Sequence, residues 1–156
     1  MSERSGVGAV QVAILEALAA TAGRGFRSNE HVLREAESRI GLAPWYAYPV
    51  LVDLAQPWKM PVTLVDGQGN FGSRGNDPAA SRRYTESRLT EAGRVERCRA
   101  DLTDPRLEGM PVHAIGARWG FRSPADFSRA FRAAHGIPPG DCRRQALAAG
   151  RTADAE

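Results

Sequence analysis

Two groups of residues in this chain have types and spacings suited to chemistry. The first lies between Val62 and Thr90, where Gly67-x-Gly69-x-x-Gly72 follows a short β-like run and Arg82-Arg83-Tyr84 comes soon after. Glycines so spaced can cradle a phosphate, or they can let the backbone turn tightly around another feature, here the Arg83-Tyr84 pair. A dinucleotide loop needs its last glycine to open a helix whose N-terminus holds the pyrophosphate. Gly72 instead leads into "SRGNDPAASRRYT", which contains Gly75 and Pro78 and has no apolar helical period. The nucleotide reading is set aside on that ground. The second group lies near the C-terminus, where Arg122, Arg129 and Arg132 accompany Ser123 and Ser128. Arginine offers a planar fork of donors that suits phosphates and base edges. The two cysteines, Cys98 and Cys142, stand without CxxC or Cys/His spacing and read as free thiols. No clustered Asp/Glu array is present, so no metal ligands are assigned.

The elements that must position these residues follow from patterning. Hydrophobic residues make up 42% and charged residues 25% of the 156, which fits a folded domain or two very small ones. The net charge of +3 comes almost wholly from arginine, with Lys59 the only lysine, and does not by itself decide for nucleic acid. No apolar run approaches the ~20 residues a membrane span needs, and "MSERSGVGAVQVAILEALAA" lacks a signal-peptide layout. A cytoplasmic location with no membrane partner is expected.

Val10, Ile14, Leu15, Leu18 and Ala22 recur at helical spacing, and Gly23 to Gly25 are expected to end that helix. Ser28 is placed to N-cap a second helix through about Ile40, and Pro44 to open a third through Ala55 with Pro49 inside it. Val62–Val65 and Tyr84–Leu89 read as strands around a glycine-rich loop. The polar stretch 93–110 is expected to be a linker, and 148–156 a disordered tail. Between them, Val112, Ile115 and Trp119 give one short helix, Gly120-Phe121 a sharp turn, and Ser123-Pro124 the cap and first turn of a second helix. Phe127, Ala130, Phe131 and Ala134 line the inner face of that helix, leaving Ala125, Ser128, Arg129 and Arg132 outward, with Arg122 at its mouth. Two short helices joined by a glycine turn make a helix-turn-helix pattern.

The run "LAQPWKMPVTLVDGQGNFGSRGNDPAASRRYTESRLT" resembles the A subunits of type IIA topoisomerases, DNA gyrase and topoisomerase IV. Leu64 to Ser73, "LVDGQGNFGS", and Arg83 to Glu86, "RYTE", carry the resemblance. It implies a winged-helix-like segment over 1–92 in which Tyr84 is the nucleophile that joins a DNA strand end and Arg83 assists at the scissile phosphate. A phenol with pKa about 10 is a poor nucleophile at neutral pH, so neighbouring positive charge is required, and Arg82 and Arg83 are both placed to supply it. The family also needs Mg2+ held by an acidic domain elsewhere, a tower and a dimer gate. The family's two histidines and drug-contacting serine are replaced: Trp45 and Pro49 stand where quinolones are contacted, which implies that the drug site is absent.

The stretch "VHAIGARWGFRSPADFSRAFRAAHGIPPGDCRRQ" resembles the second helix-turn-helix of AraC/XylS-type transcription regulators. Val112, Ile115, Gly120, Phe121, Phe127, Ser128, Arg129, Phe131, Gly136, Pro139 and Arg143 carry this resemblance, which covers Val112 to about Gln145 within a helix-turn-helix domain expected over 111–147. Gly116 stands where the family has alanine, an expected cost somewhat under ~1 kcal/mol to the helix. The resemblance implies that the second helix enters a major groove, making Arg122, Ser123, Ser128, Arg129 and Arg132 the candidates for phosphate or base contact.

The sequence thus predicts a mainly α protein with a small β-hairpin or wing, a winged-helix-like N-terminal part and a C-terminal helix-turn-helix. The expected function is duplex DNA binding of a transcription-regulator kind, without a resident cofactor, alone or as a homodimer. The enzyme alternative is a topoisomerase-A-like protein whose Tyr84 reacts when a gyrase-type partner subunit brings the metal. A third alternative is an interaction protein that binds gyrase itself.

Overall fold

The structure, a computed structural model, describes residues 2–21, 25–59, 62–75 and 77–154. The chain divides into two compact units, Met1–Gly93 and Arg94–Glu156.

In the first unit, α1 (Ser2–Thr21), α2 (Asn29–Ile40) and α3 (Pro44–Ala55) accompany a small antiparallel sheet of β1 (Arg27–Ser28), β2 (Val65–Gln68) and β3 (Glu86–Leu89), in the order β1-β3-β2. The helical period predicted in α1 is the buried one: Ala13, Ile14, Leu15, Ala17 and Leu18 are all at most 3% exposed. Ala22 to Arg24, at the expected end of that helix, lie outside the described residues, as does the side chain of Trp45. Val32, Leu33 and Ala36 of α2 and Leu51 and Leu54 of α3 complete the core, each burial of this kind stabilising by about 1.5–3 kcal/mol for the larger side chains. Ser28 stands at the N-cap of α2 but makes no side-chain cap hydrogen bond. Gly41, at φ 64°, closes the helix in the left-handed region. Pro49 sits inside α3 and is exposed.

The strands fall later than their composition predicts. β2 begins at Val65 and β3 at Glu86, because pairing runs from Val65 opposite Leu89 to Gln68 opposite Glu86. The ladder stops there because Thr85 is taken by α2, where its carbonyl accepts from the Asn29 N–H at 2.9 Å. Tyr84 therefore lies outside the sheet, at the end of a single 3-10 turn, Arg82–Tyr84.

The second unit corrects two expectations. The stretch read as a linker, 93–110, is mostly helix: α4 spans Glu91–Leu102, followed by a 3-10 turn at Pro105–Leu107. Its polar composition hid an inward stripe of Val95, Cys98 and Leu102, reinforced by buried Arg94 and Asp101. The tail expected to be disordered from 148 is also helical, since α7 runs Pro139–Asp154. Between them lie α5 (Val112–Arg118) and α6 (Pro124–His135) at the predicted places. Ile115, Trp119, Phe121, Phe127 and Phe131 are buried. Rings of Phe121 and Phe127 lie 5.2 Å apart, and those of Phe127 and Phe131 meet edge-on at 5.9 Å.

Candidate nucleic-acid interface

The glycine-rich loop of the first unit is shaped by contacts within itself. A side-chain carbon at Gly67 would fall 2.6 Å from the Phe71 ring, so that ring packs against bare backbone. Gly72, at φ 83°, faces the Asp77 carbonyl, which a side-chain carbon there would meet at 2.6 Å. The Gln56 amide at the end of α3 donates to the Phe71 carbonyl at 2.8 Å, and Ala80 N–H donates to the Asn70 carbonyl at 2.9 Å. The loop is a folded frame, and what it frames is the turn carrying Tyr84.

That turn is held from beneath. Asn29, fully buried, donates from Nδ2 to Thr85 Oγ1 at 2.8 Å and accepts from the Ser87 hydroxyl. The Tyr48 hydroxyl donates to the Ala80 carbonyl and lies 3.1 Å from Thr85 Oγ1. Thr85 is therefore fixed from two helices, and Tyr84, one residue earlier, projects outward with 72% of its surface exposed. Arg83 is exposed and makes no side-chain hydrogen bond or ion pair with the described residues. Arg82 behaves differently. Its guanidinium turns inward onto Glu37, Nη1 to Oε1 at 2.5 Å, with both side chains at most one fifth exposed. Its charge is directed at that carboxylate, so of the two arginines expected to favour a phenolate Arg83 is the one that pairs with none of the described side chains. The residues at hand do not fit a divalent cation either: no three His, Cys, Asp or Glu side chains come together among the described residues.

In the second unit the helix-turn-helix is built around two glycines. Gly120, at φ 92°, makes the turn between α5 and α6. Gly116 lies against Phe127, where a side-chain carbon would fall 2.6 Å from the ring, so the missing side chain lets α5 approach α6 closely. Gly116 thus gives up helix propensity for packing that alanine would obstruct. Gly136, at φ 77°, closes α6 by accepting the left-handed cap conformation.

The five predicted contact residues divide by what they already touch. Ser123 caps α6, its hydroxyl accepting from Asp126 N–H at 3.1 Å. Arg129 pairs with Asp126 at 2.9 Å, an exposed pair of little net worth. Arg122 and Arg132 are exposed and without side-chain partners among the described residues, and Ser128 is half-exposed. Sequence reasoning missed Arg94 and Asp101. Arg94 is 3% exposed and donates from Nη1 to the Trp119 carbonyl at 2.9 Å. Asp101 is 5% exposed and accepts from Trp119 Nε1 at 2.7 Å and Arg118 Nη1 at 3.0 Å. The spacing of these two on one face of α4, shared with Cys98 and Leu102, was the available signal.

Residues 47–101 match the family model for the A subunit of DNA gyrase/topoisomerase IV, and residues 81–145 match that for a helix-turn-helix domain. The chain resembles two families in succession. Its matched segment is 67% identical to the DNA gyrase A subunit of Mycobacterium bovis over 43 residues, 28% of this chain and 5% of that protein. It is 64% identical to the DNA gyrase A subunit of Chlamydia muridarum over 45 residues, and to that of Streptomyces coelicolor over 42, 29% and 27% of this chain and again 5% of each relative. The chain therefore spans a twentieth of the length of the curated relatives it matches. The two family matches overlap over 81–101, which includes most of α4. The helix-turn-helix resemblance thus begins well before Val112, and it takes in the helix that composition presented as a linker.

Proposed function

We propose that this protein binds double-stranded DNA in the manner of a transcription regulator, through the helix-turn-helix of α5 and α6. The observation that carries the reading is the division of α6: Phe127 and Phe131 are buried, while Arg122, Arg129 and Arg132 stand exposed at its entry and along its outer side. The N-terminus of α6, already capped by Ser123, adds the positive end of the helix dipole to the same place. The first unit, with its order of helix, short strand, two helices and hairpin, is read as a winged-helix-like segment of a gyrase A chain retained beside this reader. A labelled duplex titrated by fluorescence anisotropy through a salt series tests the proposal. Two to four phosphate contacts give a log–log salt slope of about −2 to −4. Absence of binding at low salt removes the reading.

One observation favours a second reading. Tyr84 is exposed, fixed through Thr85 and accompanied by Arg83, which pairs with none of the described side chains. The arrangement suits in-line attack of the phenol oxygen on a phosphodiester, the strand's sugar oxygen leaving as a hydroxyl and Arg83 stabilising the charge that builds on the phosphoryl oxygens. Cleavage by this route needs a partner subunit that supplies the metal. Trapping a covalent protein–DNA adduct in the presence of Mg2+ plus the gyrase B chain, with wild type and not with Tyr84→Phe, decides for it.

A further inference from the structure

The turn that aims α6 is gripped by two buried charges from α4. Trp119 is the last residue before Gly120, and α4 holds it at both ends: Arg94 binds its carbonyl and Asp101 its indole N–H. The Arg97 and Arg118 guanidiniums flank the same ring, 5.5 and 5.4 Å from its centroid. Arg94 also shapes the next residue. A side-chain carbon at Gly120 would fall 2.3 Å from Arg94 Nη1, so the guanidinium lies over bare backbone at a residue whose φ of 92° already favours glycine. Phe121 then packs on Phe127, and Arg122 follows directly. Buried charges are a poor way to gain stability, because desolvation offsets much of their attraction, but hydrogen-bonded pairs of this kind fix one geometry among several.

We infer that Arg94 and Asp101 are positioning residues of the DNA reader: by holding Trp119 at its carbonyl and its indole they set the direction in which α6 leaves the turn, and with it the placement of Arg122 and Arg132. This rests on the DNA-binding reading given above. Neither residue is exposed enough to touch a phosphate. Their loss therefore alters how well a preferred sequence is distinguished, and not the charge that draws the protein to any duplex.

The experiment uses the full chain. Preferred duplexes are selected from a randomised library with wild type, and affinity for the preferred duplex is compared with that for a scrambled one. Arg94→Met and Asp101→Leu are expected to lower the discrimination ratio about tenfold, the equivalent of one good base contact, with scrambled-duplex affinity and salt slope unchanged. Asp101→Asn, which keeps an acceptor for the indole, is expected to recover most of the ratio. Amide exchange across Gly120–Asp126, read without DNA, is expected to quicken in the two breaking variants while α4 itself stays protected. Variants that melt at lower temperature yet keep full discrimination and slow exchange in the turn overturn the inference and leave DNA binding intact. If wild type binds no duplex, the DNA reading fails. Unchanged exchange in the turn then rejects the clamp as well, and quickened exchange keeps the clamp as a device of the fold alone.

Discussion

Replacing Gly116 by alanine sets two effects against each other. Alanine in a helix interior is favoured over glycine by about 0.8–1 kcal/mol, so propensity alone predicts a more stable α5. Packing predicts the reverse. The new methyl would lie 2.6 Å from Phe127 Cδ1, 2.8 Å from Cγ and 3.2 Å from Cβ, and the last of these cannot be relieved by turning the ring. Phe127 is 1% exposed and bounded by Phe121 and Phe131, so it has no free volume to retreat into. Overpacking at such a site costs about 1–3 kcal/mol, and with backbone-adjacent contacts the upper half of that range applies. The expected balance is a loss of about 1–2 kcal/mol, or a midpoint lowered by roughly 4–16 °C for a unit of this size. Gly150→Ala serves as the control. It makes the same substitution in α7, where no neighbour lies within 4 Å, and should raise helix stability by a fraction of the intrinsic ~1 kcal/mol. Thermal melts followed by circular dichroism give the sign, and amide exchange in α5 and α6 assigns it to the second unit. A Gly116→Ala protein as stable as wild type, or more so, refutes the close-approach argument.

Three further outcomes follow from the same geometry. Ser123→Ala removes the hydroxyl that accepts from Asp126 N–H and is expected to cost about 1 kcal/mol in urea unfolding, with α6 exchanging faster than α4. Arg132→Ala is expected to weaken binding to the preferred duplex by about 1–3 kcal/mol and to lower its discrimination from a scrambled one, as the loss of a base contact requires. Burial pushes the Cys98 thiol up to about 12, with Asp101 adding to the effect against the opposing pull of Arg94, Arg118 and Arg97. Because its folded pKa exceeds the unfolded value near 9, the neutral thiol contributes stability in full below about pH 9. That contribution fades as pH rises towards 12, and Cys98→Ala should flatten this part of the stability–pH curve in alkaline denaturation.

Sequence patterning located those elements whose signals are local. α2 ends near Ile40 and α3 opens at Pro44 as their sequence suggested, and α6 begins at the Ser123 cap that its sequence announced. The strands were displaced because a strand is defined by its partner: Val62 to Leu64 look β-forming, yet the ladder begins at Val65, where Leu89 is opposite. α4 was missed for a different reason. Its inward face includes an arginine and an aspartate, residues that composition assigns to solvent, and their burial depends on Trp119, some twenty positions away in the sequence. The candidate contacts were visible as residue types. Which of them were already occupied was visible only for the Ser123 cap, since the partner of Arg82, Glu37, is fixed by folding rather than by adjacency.

That distinction bears on how the gyrase-like segment should be weighed. Several of the residues that carry the resemblance have a role in the fold itself: Gly67 accommodates the Phe71 ring, Gly72 the Asp77 carbonyl, and Thr85 the Asn29 side chain. A loop kept for those reasons would look the same whether or not it cuts DNA. Tyr84 and Arg83 are different, because the structure gives neither an interior contact to justify it: one is 72% exposed and the other pairs with none of the described side chains. Packing therefore does not account for this pair, whereas it accounts for those parts of its frame. Stability measurements on Tyr84→Phe and Arg83→Ala are accordingly uninformative about the chemistry, and only a readout at the phosphodiester separates a working nucleophile from an inherited one.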